Sequence, residues 1–265
     1  MRLCGYAAGP RSTSPSAARN TIVKLVVAFA LLGLLFAAIE RRTKPFFRRE
    51  RAVDFVYWLF TPWVSRTLSL ATMGLTILVL SRFTHPSSAW FVAQPKALQI
   101  VETLIAADLL GYFSHRLFHR GALWRIHAIH HSSEDLDWLS ATRLHPLNEV
   151  MTRVAQLVPL YLLGFRGTAL ATVVPVFAFW AIFIHADVRW NFGPLRYVIA
   201  TPEFHRWHHT SEEEGIDRNF AGLFPWIDFL FGTLHLPRGR RAEKFGVAER
   251  VPSDLLGQLA YPFTR

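Results

Sequence analysis

Cysteine is almost absent from this sequence. The chain has 265 residues and a single cysteine, Cys4, near its N-terminus. One thiol excludes an internal disulfide framework, and it excludes a zinc or iron–sulfur site built from several cysteines of this chain. Any metal that the chain binds must therefore be held by nitrogen and oxygen ligands.

Acidic residues are also few. The chain has 19 Asp and Glu against 29 Lys and Arg, so its formal net charge is +10 at pH 7. A basic balance can indicate nucleic-acid binding, but here apolar runs separate the basic clusters, which favours a membrane surface. Apolar residues make up 51% of the chain, with 22 Phe and 9 Trp, which is too apolar for an ordinary soluble domain.

Long apolar runs predict an all-α membrane protein with about four transmembrane helices, because a spanning helix needs roughly 20 predominantly apolar residues. The run at 21–39 predicts an uncleaved anchor, since charged residues follow it in place of a cleavage site for a signal peptide. A second apolar region covers 55–80. Pro62 and Arg66 interrupt it, so we expect a short interfacial piece before a span at about 67–80.

The later runs and the basic residues predict a topology. The run at 97–113 predicts a further span, and the runs at 150–163 and 169–184 predict a helical hairpin that returns to the same side of the membrane. Six basic residues between 41 and 51 place that loop in the cytoplasm and the N-terminus outside. This topology gathers the histidine motifs described below in a helical cap on the cytoplasmic face.

The same patterns divide the chain into four predicted regions. Residues 1–20 are small and polar, and we expect a disordered N-terminal arm. Residues 21–96 form an N-terminal transmembrane region, and residues 97–236 form the domain with the histidine motifs. Residues 237–265 form a basic tail that we expect to touch anionic lipid.

Eight of the twelve histidines fall in three motifs. An HxxxH motif is formed by His115 and His119, and two HxxHH motifs are formed by His127, His130 and His131 and by His205, His208 and His209. Residues three or four apart share one face of a helix, so each motif can aim its imidazoles at a common point. Eight imidazoles are too many for one ion and about right for two. Neutral imidazole suits iron, zinc and copper.

Asp108 is a charged residue inside an apolar helical run. A charge at membrane depth is costly and usually faces a protein interior or a polar site. Asp108 lies on the same helical stripe as His115 and His119, so this face leads to the predicted metal. We expect its carboxylate to accept an imidazole N–H and orient a ligand. An ion pair with Arg116 or Arg143 is the alternative.

Short motifs accompany the histidines in a fixed order. They are Asp108-x3-Tyr112-x2-His115-Arg116-x2-His119, His127-x2-His130-His131, Arg143-x-His145-Pro146, Phe183-Ile184-His185, His205-x2-His208-His209, Asn219-Phe220 and Trp226-x-Asp228-x2-Phe231-Gly232-Thr233. As an ordered set over residues 98–236, they resemble the fatty acid hydroxylase / sterol desaturase superfamily of integral-membrane, non-haem di-iron proteins. The resemblance makes residues 97–236 a catalytic domain.

The resemblance implies that all the histidine boxes bind a pair of iron ions, with O2 as co-substrate. The implied ligands are His115, His119, His127, His130, His131, His205, His208 and His209, with His145 and His185 as further ligands. Asp108 and Asn219 are implied as catalytic residues outside the ligand set. Zinc can replace the iron ions in purified protein.

The implied activity is O2-dependent hydroxylation or desaturation of a lipid, such as a fatty acyl chain or a sterol, that enters from the bilayer. No glycine-rich dinucleotide fingerprint follows a predicted strand. We therefore expect a separate electron donor, either a ferredoxin or a b-type cytochrome with an NAD(P)H reductase. No nucleic-acid partner is expected.

Two other classes of protein could use these histidines. A membrane zinc hydrolase commonly carries HExxH, in which a glutamate acts as the base, and this motif does not occur in the sequence. A non-catalytic metal-binding or transport protein would line its spans with polar residues and histidines at depth. Here the histidine motifs lie beyond the ends of the predicted spans.

Overall fold

The computed structural model describes residues 15–40, 49–82 and 87–264. Regular structure in these ranges is helical, and one isolated antiparallel bridge joins Thr210 to Phe245. The α-helices are α1 (Pro15–Ile39), α2 (Arg49–Leu80), α3 (Ala89–Val92), α4 (Lys96–Phe118), α5 (Gly121–His131), α6 (Pro146–Leu162), α7 (Gly167–His185), α8 (Pro202–His209), α9 (Pro225–Leu230) and α10 (Leu255–Ala260). Short 3-10 helices lie at Ser140–Thr142, Gly193–Tyr197, Glu213–Gly215 and Tyr261–Phe263. The all-α prediction is confirmed.

The chain divides into two compact units after residue 39. The first unit contains α1, which begins at Pro15. Proline suits a first helical turn, because its fixed φ matches the helix and its missing N–H is not needed there. The helix therefore begins before the apolar run at 21–39 and takes in residues 15–20 of the predicted arm. Residues 1–14 lie outside the described residues.

Two helices, α4 and α7, are long and apolar enough to cross a membrane, with mean hydropathies of 1.3 and 2.0 over their most apolar stretches. Apolar helical stretches at Ala30–Ile39 and Thr67–Leu80 are shorter. The number of four spans and the cytoplasmic position of the cap remain predictions. Most of the basic loop on which that topology rests, residues 41–48, lies outside the described residues.

Helix α2 differs from its prediction. It continues without interruption from Arg49 to Leu80, so the piece expected before a span at about 67–80 belongs to the same helix as that stretch. The helix packs along α6 and buries Tyr57 completely. Tertiary packing of this kind supplies most of the stability of a helix in a protein, and here it outweighs the local cost of a proline.

Helices α6 and α7 cover the two predicted apolar runs, and both pack against α4, while the hairpin across the membrane stays a prediction. Phe91 and Leu160 are fully buried in the core at this end of the fold. Gly164 lies in the loop between the two helices with a φ of 96°. A Cβ atom there would lie 2.4 Å from the Ser87 carbonyl oxygen, so glycine is required for both reasons.

The C-terminal tail is packed on the second unit. Tyr261 lies in a core cluster with Tyr57 and Ile129. Arg125 of α5 donates hydrogen bonds to the carbonyl oxygens of Tyr261 at 2.7 Å and Thr264 at 2.8 Å. Part of the predicted basic tail is thus a structural element of the protein, and its contact with anionic lipid remains a prediction.

Candidate metal centre

Nine histidines gather in two groups at the C-terminal ends of α4, α5, α7 and α8. The first group is His115, His119, His127, His131 and His208, and the second group is His130, His185, His205 and His209. Within each group the ligand nitrogens lie within 4.8 Å of one another. The C-terminal end of a helix carries a partial negative charge, so these helix ends favour a bound cation.

Each HxxHH motif places histidines in both groups, whereas we expected all three imidazoles of a motif to face one point. Residues i and i+4 of each motif join one group, and residue i+3 joins the other. At 3.6 residues per turn, residues i+3 and i+4 lie on opposite sides of residue i, about 100° apart. A single motif can therefore supply ligands to two neighbouring ions.

The two groups lie side by side. The ring of His131 in the first group stacks on His209 of the second, with centroids 4.2 Å apart. The rings of His127 and His130, which also belong to different groups, are 5.4 Å apart. Two ions held here would therefore be close neighbours in one buried centre.

Hydrogen bonds to the outer nitrogen fix the tautomer of six rings. Nδ1 faces an acceptor oxygen in His115 (Phe220 O, 2.8 Å), His119 (Asp217 Oδ1, 3.0 Å), His127 (Asn148 Oδ1, 2.8 Å), His130 (Arg143 O, 3.0 Å), His185 (Ala181 O, 2.6 Å) and His208 (Arg218 O, 2.8 Å). A neutral imidazole has one N–H, so Nδ1 donates and Nε2 keeps its lone pair. This is the arrangement in which an outer hydrogen bond orients a metal ligand.

The inner nitrogens face one another without protons. Nε2 of His115 and Nε2 of His127 are 3.0 Å apart in the first group, and those of His130 and His185 are 3.3 Å apart in the second. All four rings already use their proton on Nδ1, so two lone pairs meet in each contact and need a cation against them. Nε2 of His119 and of His208 is likewise buried without a hydrogen-bond partner. The residues present therefore fit a metal ion in both groups.

Burial keeps these rings in the neutral form that binds metal. Desolvation is the main cause, and neighbouring imidazoles add to it. Together they hold the pKa well below the ordinary value of 6.5 for His127, His130, His131, His205, His208 and His209. Protons therefore compete weakly with a metal ion at neutral pH.

His145 is not brought to either group, and its expected role as a ligand is corrected. Its Nδ1 accepts the Leu147 N–H at 3.1 Å, and its Nε2 faces the Leu259 carbonyl oxygen at 3.2 Å. The ring caps the N-terminus of α6, where a backbone N–H would otherwise lack a partner. His185, the other ligand implied by resemblance alone, does lie in the second group.

Asp108 does not orient an imidazole, and this expectation is also corrected. Its buried carboxylate accepts the backbone N–H groups of residues 222–224 at distances of 2.7–3.0 Å. Within the described residues, it forms neither a hydrogen bond to a histidine nor an ion pair with Arg116 or Arg143. It acts on the site through the backbone, because the loop that it holds begins with Phe220, whose carbonyl oxygen faces His115.

Asn219 is likewise committed to the backbone. Its Nδ2 donates to the carbonyl oxygens of Phe204 at 2.9 Å and His235 at 2.8 Å, and its Oδ1 accepts the His235 N–H at 2.7 Å. Its φ of 58° lies in the left-handed region, which asparagine tolerates. With its amide fully engaged, Asn219 holds two segments together, and its expected catalytic role is corrected.

Three residues that were not predicted from the sequence support the site through hydrogen bonds. Asp228 accepts the N–H groups of Phe220 at 2.7 Å and Ala221 at 2.9 Å, so it holds the same loop as Asp108. Asn148 and Asp217 accept from the ligand rings described above. Asp228 stands in a quoted motif, but no spacing rule connects the other two to a particular histidine.

Arg143 links the centre to α2. Its carbonyl oxygen faces His130, while its buried guanidinium pairs with Asp54 at 2.6 Å and Glu50 at 3.5 Å. Removing one partner of a buried ion pair is strongly destabilising, because it leaves an uncompensated charge. The α2 carboxylates thus fix the segment that positions a ligand of the second group.

Comparison with known proteins agrees with this centre. A sequence model of the fatty acid hydroxylase family matches residues 100–233, about half of the chain, and the match includes all nine clustered histidines. The chain belongs to the fatty acid hydroxylase family. This confirms the resemblance to the fatty acid hydroxylase / sterol desaturase superfamily. Family membership and the apolar helices α4 and α7 indicate a membrane protein.

Two curated relatives of this family member have names that state a lipid substrate. The ornithine lipid hydroxylase OlsE of Rhizobium tropici is 33% identical over 195 residues, which cover 73% of this chain and 59% of the relative. The alkylglycerol monooxygenase of Homo sapiens is 33% identical over 130 residues, which cover 49% of this chain and 29% of the relative. The chain thus spans less than two thirds of either relative. No solved structure matches it.

Proposed function

We propose that this chain is a membrane-bound, O2-dependent lipid hydroxylase whose two histidine groups hold a pair of iron ions. The facing Nε2 lone pairs in each group carry this proposal, because they need a cation against them. Imidazole ligands suit iron and zinc alike. Family membership favours iron, since zinc has no redox chemistry to offer a hydroxylase.

The overall reaction defines what the centre must accommodate. Hydroxylation of a C–H bond consumes O2, two electrons and two protons, and it gives an alcohol and one water. The iron pair, when bound, supplies the chemistry that activates O2. Since the chain offers one cysteine and no dinucleotide fingerprint, we propose that a ferredoxin or a b-type cytochrome with an NAD(P)H reductase supplies the electrons.

The chain's own residues hold, orient and shield the ions. Nine imidazoles present their inner nitrogens, and the hydrogen bonds at Nδ1 keep the rings in one orientation. Asp108 and Asp228 hold the loop at 220–224, and Arg143 holds the segment before α6. The rings of the second group are all buried, which excludes water from that side of the centre.

A membrane lipid is the proposed substrate class. One named relative is a hydroxylase of an ornithine lipid, and the other is a monooxygenase of alkylglycerol. These names favour hydroxylation, and desaturation with the same ligands is the alternative. The lipid enters from the bilayer, the N-terminus lies outside, and the metal groups lie at the cytoplasmic face.

Expression of the chain in a bacterial host under 18O2 tests this proposal. We expect lipids that have gained the mass of one 18O atom, which appear with the wild-type chain and are absent with His208→Ala. Iron in the purified protein should give the Mössbauer signature of a coupled iron pair.

Two results would contradict the proposal. Bound zinc together with hydrolase activity and no oxygenated lipid would indicate a zinc hydrolase. An intact iron pair with an unchanged lipidome across several hosts would indicate a non-catalytic metal protein. Zinc content alone decides nothing, because zinc can replace iron during purification.

A further inference from the structure

Two short elements outside the candidate spans expose large apolar side chains. On α9, Phe229 is 69% exposed and Leu230 is 65% exposed. On and just after the 3-10 helix Gly193–Tyr197, Leu195 is 51% exposed and Val198 is 57% exposed. The two elements contact each other, so these four side chains form one surface, here called the apolar ridge. Several large apolar side chains exposed together mark an interaction surface, whereas single exposed apolar residues do not.

Helix α9 is unusual for a surface helix in water. Its buried side carries Ile227 and the carboxylate of Asp228, both 0% exposed, and its outer side carries Phe229 and Leu230. A helix at an aqueous surface places charged and polar residues on its outer face. The apolar outer side of α9 therefore indicates that it meets an apolar medium.

The ridge continues the surfaces of both candidate membrane spans. Phe231, directly after α9, stacks on Tyr112 of α4 at 5.1 Å and meets the half-exposed Phe113 at 5.0 Å. Trp180 of α7 donates a hydrogen bond to the carbonyl oxygen of Ala200 at 3.0 Å, two residues after the ridge residue Val198. A lipid leaflet around α4 and α7 would therefore extend to the ridge without a gap.

Arginines border the ridge. Arg218 donates to the carbonyl oxygen of Gly232 at 3.1 Å, and Arg116 donates to the Tyr112 hydroxyl at 3.3 Å. Arg196, beside Leu195, does not join this border, because its guanidinium pairs with Glu203 at 3.1 Å. An arginine can lay its stem along an apolar surface while its guanidinium reaches the phosphates of anionic lipids.

We propose that the apolar ridge is seated in the headgroup–acyl boundary of a leaflet that contains anionic lipid. The proposal rests on the membrane setting of the proposed function and extends it to two elements that do not span. The apolar side chains enter to a depth of about 5–10 Å, as in interfacial helices. The arginines at the border stay at the level of the phosphates.

This contact brings lipid close to the first histidine group. Asp228 of α9 holds the backbone N–H of Phe220, and the Phe220 carbonyl oxygen accepts from His115. The element in the leaflet is thus two hydrogen bonds away from a metal ligand.

Site-specific fluorescence tests the proposal. Cys4→Ser removes the native thiol, and Leu230→Cys or Val198→Cys then places one NBD label on the ridge. Glu213→Cys is the matched control, because Glu213 is exposed on the loop after α8. Each protein is reconstituted in vesicles of phosphatidylcholine and phosphatidylglycerol. We expect blue-shifted emission at 230 and 198, quenching by lipids with a doxyl group high in the acyl chain, and protection from aqueous iodide.

Two outcomes would overturn the lipid assignment. Labels at 230 and 198 that respond to iodide as strongly as the label at 213 would place the ridge in water. Labels shielded from both iodide and doxyl lipid would mean that a second copy of the chain or another protein covers it. Metal content and lipid oxidation are measured separately on the Cys4→Ser protein, so a failure of the proposed function is distinguishable from a failure of this inference.

Discussion

The two histidine groups differ in how they join the rest of the protein. In the first group, two outer partners are side chains, Asn148 and Asp217, and the side chain of Asp217 is 63% exposed. In the second group, all four rings are buried, and the partners described for Nδ1 are the backbone carbonyls of Arg143 and Ala181.

In the proposed iron pair, this difference would assign separate controls to the two ions. The properties of the first ion depend on side chains that mutation can change one at a time, and one of these reaches solvent. The second ion depends on how the backbone of two segments is placed. Variants at outer partners should therefore separate the groups, whereas variants at the rings should damage both.

The largest effect is expected from the removal of one ring in each group. His130→Ala leaves the second group with three rings, and His208→Ala leaves the first with four. We expect both variants to lose lipid oxidation completely, because the reaction needs both ions. Metal analysis should show a larger loss of bound metal in His130→Ala than in His208→Ala, since fewer ligands remain in the second group.

The control for this pair is His145→Ala, which lies outside both groups. It should keep the full metal content and lose a helix cap, at a cost of about 0.5–2 kcal/mol, together with the contact to the Leu259 carbonyl oxygen. Retained oxidation in His130→Ala or His208→Ala, with the protein in the membrane, would remove the metal assignment.

A large effect on the first group is expected from Asp108→Ala. Three backbone N–H groups would lose their acceptor, and the loss at the buried N–H of Leu223 costs about 1–3 kcal/mol, with less at the two part-buried groups. The loop at 220–224 carries the acceptor for His115, so the first ion should be lost before the second. Thermal unfolding and metal titration of the same sample check both parts. Asp108→Asn keeps an acceptor oxygen and should fall between the variant and the wild type.

A smaller and more selective effect is expected from Asp217→Asn. The amide keeps the shape but removes the charge that faces Nδ1 of His119, and outer partners of this kind are worth about 10–100-fold in metal affinity. Only the first ion should weaken. Because Asp217 is exposed, stability should change by no more than about 0.5 kcal/mol. Glu249→Gln, another exposed carboxylate near His119, is the matched control. Equal weakening of both ions would contradict the separation of the groups.

Eight of the nine clustered histidines were predictable because helical spacing brings imidazoles to one face, whereas His185 was expected only from the resemblance. Nine of the ten histidines implied by the motifs lie in the two groups, and His145 does not. Spacing could not predict which histidines of an HxxHH motif join which group. That assignment depends on which neighbouring helices pack on each side of the motif. His145 directly precedes α6, and its ring accepts the Leu147 N–H there.

The outer partners were less predictable because they join distant parts of the chain. The sequence predicts that the helix face of Asp108 leads to the histidines, but it does not reveal that residues 222–224 return to that face and donate to the carboxylate. The short piece before 67–80 was predicted from Pro62 and Arg66, but these local signals do not reveal that it joins the stretch at 67–80 in one helix packed against α6. The two candidate spans were recognised because length and hydropathy are local properties.

The smallest effect on the metal groups is expected from pH, which acts on the stability of the protein through Glu40. Glu40 accepts the N–H groups of Trp138 and of Asp187, which follows His185 by two residues. Burial, together with the nearby charge of Asp137, raises the pKa of Glu40 from 4.5 to about 7, although those N–H groups and Arg51 oppose the shift. Between pH 4.5 and 7 the folded chain therefore keeps a proton that the unfolded chain loses, and this contribution to stability falls as pH rises through that window. Glu40→Gln is neutral at every pH, so its unfolding temperature should fall less than that of the wild type across the window. Parallel curves for the two proteins would mean that Glu40 is already ionised in the folded state.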